Sequence, residues 1–270
     1  MEPTIFKSYG LDQVMLHAHW QQSMALARNQ DDKRLLKYGY KVFSQNDEDG
    51  IIQEILRRID VESRVFVEFG VGNGSECNSL WLLMLGWKGL WIEAQANNFK
   101  QITQTHSALI ERGNLSVINE FTTIGNIDQT INANLDSPEI DLLSIDIDFN
   151  DYWVWEAITS IQPRIVVVEY NATWRPPLSV TVPYTDDAVW NGTNYFGASL
   201  TALAKLGQSK GYRLVGCCFA GVNAFFVRSD LCKDDFLKPG DAVEHYEPAR
   251  YFMSAMSSGH PPGIGPLVEI

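Results

Sequence analysis

Two periodicities divide the chain. Across residues 11–38 apolar positions recur at helical spacing, interrupted by the polar "NQDDKR" at 29–34, and the pattern predicts an amphipathic helical region. "SQNDEDGIIQEILRRI" follows. Ser44 or Asn46 suits a helix N-cap, Asp47, Glu48 and Asp49 suit the positive helix start, and Ile51, Ile52, Ile55 and Leu56 share one face. From residue 64 the period changes. "RVFVEFG" (64–70), "GLWIEA" (89–94), "LSVINEF" (115–121), "DLLSIDI" (141–147) and "RIVVVEY" (164–170) are short, β-branched and nearly continuous in apolar character. Such runs suit parallel strands covered on both faces. Helical stretches are predicted between them, at about 75–85, 96–112, 126–134 and 151–160.

Strand–helix alternation implies right-handed crossovers and a doubly wound α/β sheet. The end of the chain departs from it. After a helix at about 197–210, "YRLVGCCFA" and "NAFFVRS" flank a turn at Gly221, which is a hairpin signal. Five parallel strands closed by a C-terminal antiparallel hairpin give a seven-stranded, mostly parallel sheet, the class I methyltransferase layout. The expected organisation is an N-terminal helical extension (1–60) and one cofactor-binding unit (61–270).

The first strand runs into "VEFGVGNGSE". A dinucleotide loop of the G-x-G-x-x-G type would need glycine at 75, where this chain has Ser75. It has Gly70, Gly72 and Gly74 behind Glu68 instead. That pattern resembles the first motif of S-adenosylmethionine (SAM) methyltransferases. Glycines admit the methionine and ribose portions close to the backbone, and a carboxylate suits the cationic amino group. The absence of G-x-x-x-x-G-K-[ST] excludes a P-loop. Glu93, ending the second strand, suits both ribose hydroxyls, a feature common to SAM and NAD. Asn119 or Glu120, ending the third, is placed for the adenine edge or is a solvated loop residue.

In an open α/β sheet ligands sit outside the carboxyl ends of the strands. Asp146 and Asp148 follow the fourth strand, and Glu169 and Asn171 the fifth. Two roles suit them. An Asp acts as general base toward a substrate hydroxyl, or the four residues hold Mg²⁺ or another hard divalent cation. A third reading has Asp148 and Asn150 only capping the helix that begins near Asp151.

Residues 171–196 form a connection far longer than the usual two to six residues, and such loops commonly carry function. Trp174, Arg175, Tyr184, Trp190 and Tyr195, with Asp186 and Asp187, suit a polyhydroxylated acceptor or a lid packing its own aromatics. The tail, 253–267, is rich in Gly and Pro and is placed to drape over the same opening. His17 and His19 are two apart, so they do not form a helical metal pair. His245 and His260 fall in C-terminal loops, as surface residues or as bases reaching over the pocket.

Net charge is −12, which argues against a nucleic-acid or anionic-membrane partner. No apolar run approaches the ~20 residues of a membrane span. Four cysteines form no C-x-x-C pair and the N-terminus carries no secretory signal, so a cytoplasmic protein with reduced thiols is expected.

Several stretches together resemble the FkbM-type family of SAM-dependent methyltransferases, in an uncharacterised bacterial branch. They are "SQNDEDGIIQEIL", "FVEFGVGNGSECNS", "GWKGLWIEA", "DLLSIDIDFNDYWVWEAI", "PRIVVVEYN" and "YFGASLTALAKLGQSKGYRLVGCCFAGVNAFFVR", spread over about 43–230. The resemblance implies O-methylation of a sugar or secondary-metabolite hydroxyl. It carries over Glu68, Gly70, Gly72, Gly74 and Glu93 as the SAM site, and Asp146 and Asp148 as the acids after the fourth strand. It departs at Phe149, where the branch usually has glycine; a Phe there narrows the pocket or changes the turn. The partners expected are a small-molecule or saccharide acceptor, with a homodimer left open. An NAD-dependent oxidoreductase and a non-catalytic SAM-binding module are the competing functions.

Overall fold

The structure, a computed structural model, describes residues 17–250 and 260–270. Strands β1 (Val65–Phe69), β2 (Lys88–Glu93), β3 (Leu115–Asn119), β4 (Leu142–Ile145) and β5 (Ile165–Glu169) are parallel neighbours in the order β3-β2-β1-β4-β5. The chain also contains a two-residue strand, β6 (Val180–Thr181), and the hairpin β7 (Tyr212–Cys217) and β8 (Asn223–Arg228). β8 inserts antiparallel between β5 and β7, closing the seven-stranded sheet as β3-β2-β1-β4-β5-β8-β7. This is the class I methyltransferase fold. Strand order reverses between β1 and β4, so the switch-point crevice opens there.

Period-two alternation sorts the strands into two cores. Val67, Phe69, Leu143, Ile145, Val166 and Val168 face one; Phe66, Leu142, Ile165, Val167 and Phe225 face the other. Continuing the alternation puts Glu68, Ser144, Asp146, Glu169 and Asn223 on the second face, at the carboxyl edge. One otherwise apolar face therefore turns polar where the crevice opens.

A helix covers 17–24, here α1. It gives way to two 3₁₀ turns, Ala27–Asn29 and Leu36–Tyr38, in place of the helical region, interrupted at 29–34, that is expected to residue 38. Residues 11–16 lie outside the described residues. α2 (Glu48–Arg58) buries Ile51, Ile52 and Ile55 on the second core, beside Leu35. Its start is organised by its own acids. Asp49 Oδ2 accepts the N–H groups of Val42, Phe43 and Ser44, and Ser44 Oγ accepts the Asp49 N–H at 3.2 Å.

The remaining helices are α3 (Leu80–Met84), α4 (Ala96–Thr105), α5 (Ser107–Glu111), α6 (Ile127–Asn134), α7 (Asp151–Ala157), α8 (Leu200–Ser209) and α9 (Ala242–His245). α3 starts five residues later than the sequence predicts, because the preceding segment wraps around Glu68. α4 and α5 replace one predicted helix, broken at His106, whose ring nitrogen reaches the Gly74 carbonyl at 3.0 Å. β6 pairs with β9 (Val268–Glu269), an antiparallel contact absent from the predicted elements. Among the described residues no helix is long and apolar enough to cross a membrane.

Candidate active site

The loop leaving β1 is held from beneath. Glu68 is 3% exposed, and its carboxylate accepts the N–H groups of Asn78 (2.8 Å) and Ser79 (2.9 Å) and the hydroxyls of Ser79 and Ser144 (3.2 Å). Four donors fill the four lone-pair sites of a carboxylate. Burial nevertheless pushes its pKa up, against those hydrogen bonds. Glu68 thus shapes the loop and has no lone pair left for a ligand's amino group.

The glycines divide the work. Gly70 has φ +70° and abuts β4: a Cβ would lie 1.6 Å from the Asp146 carbonyl oxygen. Gly72 has φ +56° and nothing within 4 Å of the Cβ position, so its backbone faces open space. Gly74 packs against Trp91 and Ile102.

Glu93, at the end of β2, is buried. Its Oε1 accepts Gln95 N–H (2.8 Å) and the Asn98 amide (3.3 Å), and its Oε2 takes no hydrogen bond among the described residues. Asn119 is exposed at the end of β3 and donates to the carbonyls of Glu93 (2.7 Å) and Ala94 (3.1 Å). Glu120 is committed elsewhere: its oxygens accept Asn126 Nδ2 (3.1 Å) and Thr130 Oγ1 (2.6 Å), tying down the start of α6.

At the ends of β4 and β5, Asp146, Asp148 and Glu169 each bring a carboxylate oxygen within 4.8 Å of the others. Burial raises the Asp146 and Glu169 carboxyls well above their ordinary range. The neighbouring acids reinforce this: Asp148 and Asp151 act on Asp146, and Asp146 and Asp151 on Glu169. Asp148 is exposed, yet desolvation by the surrounding residues still raises its carboxyl, and His260 opposes that shift. Asp148 has φ 65°, so the left-handed turn falls there and not at Phe149, whose ring contacts Tyr195 with centroids 6.0 Å apart. Asn150 precedes α7 without a side-chain cap bond and donates to the Thr185 carbonyl at 2.8 Å.

Asn171 does not join these acids. Its Nδ2 donates to the carbonyls of Asn194 (2.8 Å) and Phe196 (3.0 Å), and its Oδ1 accepts Thr173 N–H (3.0 Å). The amide is spent on fixing the long loop, so it is no metal ligand here. Asp151 and Asn223 take the place beside the cluster. Asp151 is fully buried; Oδ1 accepts the Ile147 N–H at 2.9 Å and Oδ2 has no partner. Asn223 lies opposite Glu169 in the β5–β8 register, donates to Glu48 (3.1 Å), and has an unpartnered Oδ1. Sequence reasoning passed over both. Asp151 reads as a helix-start acid, and Asn223 becomes visible only once β8 is paired against β5.

The long loop splits its aromatics. Trp190 packs on His260 (4.7 Å between centroids) and Phe196 (6.4 Å), and Tyr195 donates to the Pro266 carbonyl at 2.5 Å. The described tail thus lies against the loop near Asp148. Tyr184 sits apart, donating to Asp186 (2.7 Å) and accepting Ile124 N–H (3.3 Å). Trp174 is half-buried, and the exposed Arg175 lies beside Tyr246. His17 stacks on Trp20 and His19 lies 5.8 Å from the Phe219 ring. His245 is buried and its pKa falls to about 3, so it is neutral and inside the fold, not a surface residue.

No family model matches the chain, and no curated protein matches it. Solved structures do. A SAM-dependent methyltransferase from Aquifex aeolicus is 10% identical, over 65% of this chain and 88% of that one, with TM-score 0.39. Magnesium protoporphyrin IX methyltransferase from Synechocystis PCC 6803, with bound SAM, is 12% identical over 68% and 79%, TM-score 0.45. A SAM-dependent methyltransferase from Clostridium acetobutylicum ATCC 824 is 10% identical over 79% and 98%, TM-score 0.41. The fold assignment rests on the strand order.

Proposed function

We propose that the chain is a SAM-dependent O-methyltransferase acting on a hydroxyl of a sugar or secondary-metabolite acceptor. The observation that carries this reading is the β1 loop. Gly72 presents bare backbone to open space at the β1/β4 switch point, with the unengaged Oε2 of Glu93 one strand away. The backbone at 70–74 takes the methionine portion, Glu93 the ribose hydroxyls, and Asn119 the adenine edge. Glu68 acts through the loop it holds. The resemblance to the FkbM-type family favours the same assignment.

In the reaction the acceptor oxygen attacks the sulfonium methyl in line. The S–C bond breaks with its electron pair going to sulfur, an O–C bond forms, and the hydroxyl proton passes to Asp146 or Asp148. Burial raises both carboxyls, which makes either a stronger proton acceptor than an ordinary carboxylate. Positioning supplies much of the rate. Trp190 and Tyr195 offer ring faces to an acceptor beside Asp148, and the four cysteines, all free thiols, accord with a cytoplasmic setting.

Calorimetry with SAM, S-adenosylhomocysteine (SAH) and NAD tests the cofactor. SAM and SAH are expected to bind and NAD not; NAD binding alone would overturn the reading. SAH release with a panel of sugar and phenolic hydroxyl acceptors separates an enzyme from a binding module.

A further inference from the structure

We propose that Asp146, Asp148 and Glu169 bind one hard divalent cation of the Mg²⁺ or Mn²⁺ class, with Asp151 and Asn223 as its outer supports. The inference stands on the oxygens themselves and holds whether or not the chain transfers methyl groups.

Spacing supports it first. An ion bound at about 2.1–2.4 Å from each oxygen has ligand oxygens about 3–5 Å apart. The three carboxylates keep theirs within 4.8 Å of one another. The donor set is all oxygen, with neither thiolate nor imidazole in the cluster, which suits a hard cation over zinc or copper.

The second observation is independent of that spacing. Asp151 is fully buried, its Oδ2 has no partner, and its charge acts on Asp146 and Glu169. Glu169 Oε2 and Asn223 Oδ1 are likewise buried without partners. Buried carboxylate oxygens are normally hydrogen-bonded or paired, because stranding them costs more than a lost hydrogen bond returns. Among the described residues no Lys or Arg forms an ion pair with Asp146, Asp148, Asp151 or Glu169. A divalent cation satisfies the orphaned acceptors and the mutual repulsion together. Asp151 Oδ2 and Asn223 Oδ1 then accept hydrogen bonds from water held by the ion, as outer groups around a bound cation do. The alternative is that the acids share protons and bind no ion.

Those two states differ in a measurable way, since metal binding displaces protons from its ligands. The full chain, stripped with EDTA, is titrated with Mn²⁺ followed by electron paramagnetic resonance. Mg²⁺ is titrated in parallel by calorimetry in two buffers of different ionisation enthalpy. SAH binding is measured on the same samples. We expect one ion per chain, proton release on binding, and affinity lowered by about tenfold or more in Asp148→Asn, Glu169→Gln and Asp151→Asn. Circular dichroism checks each variant's fold, and exposed Asp148 is the position least able to disturb it. Absence of binding at millimolar Mn²⁺ and Mg²⁺, or variants that bind as the parent does, would overturn the cation site. Intact ion binding without SAH binding would instead remove the methyl-transfer reading alone.

Discussion

Gly70 and Asp146 are locked together: a Cβ on Gly70 would lie 1.6 Å from the Asp146 carbonyl oxygen. The loop after β1 and the acid after β4 therefore share one backbone contact. Gly70→Ala meets both that clash and a left-handed φ, and should destabilise the fold by about 2–5 kcal/mol. Urea denaturation checks it.

Gly72→Ala is the matched control. It meets no neighbour, only the left-handed penalty of about 1–2 kcal/mol. It should fold, yet weaken SAH binding by about tenfold or more, because the added methyl occupies the ligand's side of the loop; tenfold corresponds to about 1.4 kcal/mol. A variant that binds SAH as tightly as the parent would show that the cofactor does not approach at Gly72.

Glu68→Gln places an amide NH₂ against at least one of two backbone N–H groups and two hydroxyls. The mismatch should lower stability by about 1–3 kcal/mol and loosen residues 75–79, with SAH affinity falling alongside. Hydrogen exchange at Asn78 and Ser79 reports the loosening directly.

The sheet was legible because each strand is a short apolar run ending in a polar residue at the crevice. The hairpin was legible from Gly221. What sequence could not give was side-chain commitment. Glu68, Glu120 and Asn171 all have the right chemistry at strand ends, but donors or carbonyls from the segments that follow each strand occupy them. Phe149 misled in the same way: the left-handed turn belongs to its neighbour Asp148. The β6–β9 pairing escaped notice because two-residue strands leave no periodic signal.

Asp146→Ala should abolish most turnover, by about 10²–10⁴-fold if it is the base, while leaving the fold intact. Removing one member of a mutually repelling set costs no favourable pairing, so its melting temperature should not fall. SAH production and thermal denaturation on one preparation separate the two effects; unchanged turnover would exclude Asp146 from the chemistry.

Two buried acids should favour the folded chain on mild acidification. Asp47, raised to about 7 by burial and then by Glu48, binds its proton more tightly folded than unfolded. Its contribution is complete below its unfolded pKa of about 4 and is lost as pH climbs toward 7. Asp151, also raised to about 7 by burial, acts in the same direction. Buried His245, lowered to about 3, opposes these two acids over the same window. In metal-free buffer Asp47→Asn should remove the Asp47 share, and so make the melting temperature fall less, or rise more, as pH increases from about 4 to about 7.

Asp47 also ties together parts of the chain far apart in sequence. Both its oxygens accept the Phe219 N–H at 3.0 Å, across 172 residues of chain. On the same side of the molecule Arg28 pairs with Glu247 at 2.7 Å, and Arg34 with Glu244. During synthesis from the N-terminus, residues 28–47 emerge long before the segments that hold them. Arg28, Arg34 and Asp47 make these contacts only once residues 219–247 are available, so the three contacts close sequence separations of 219, 210 and 172 residues.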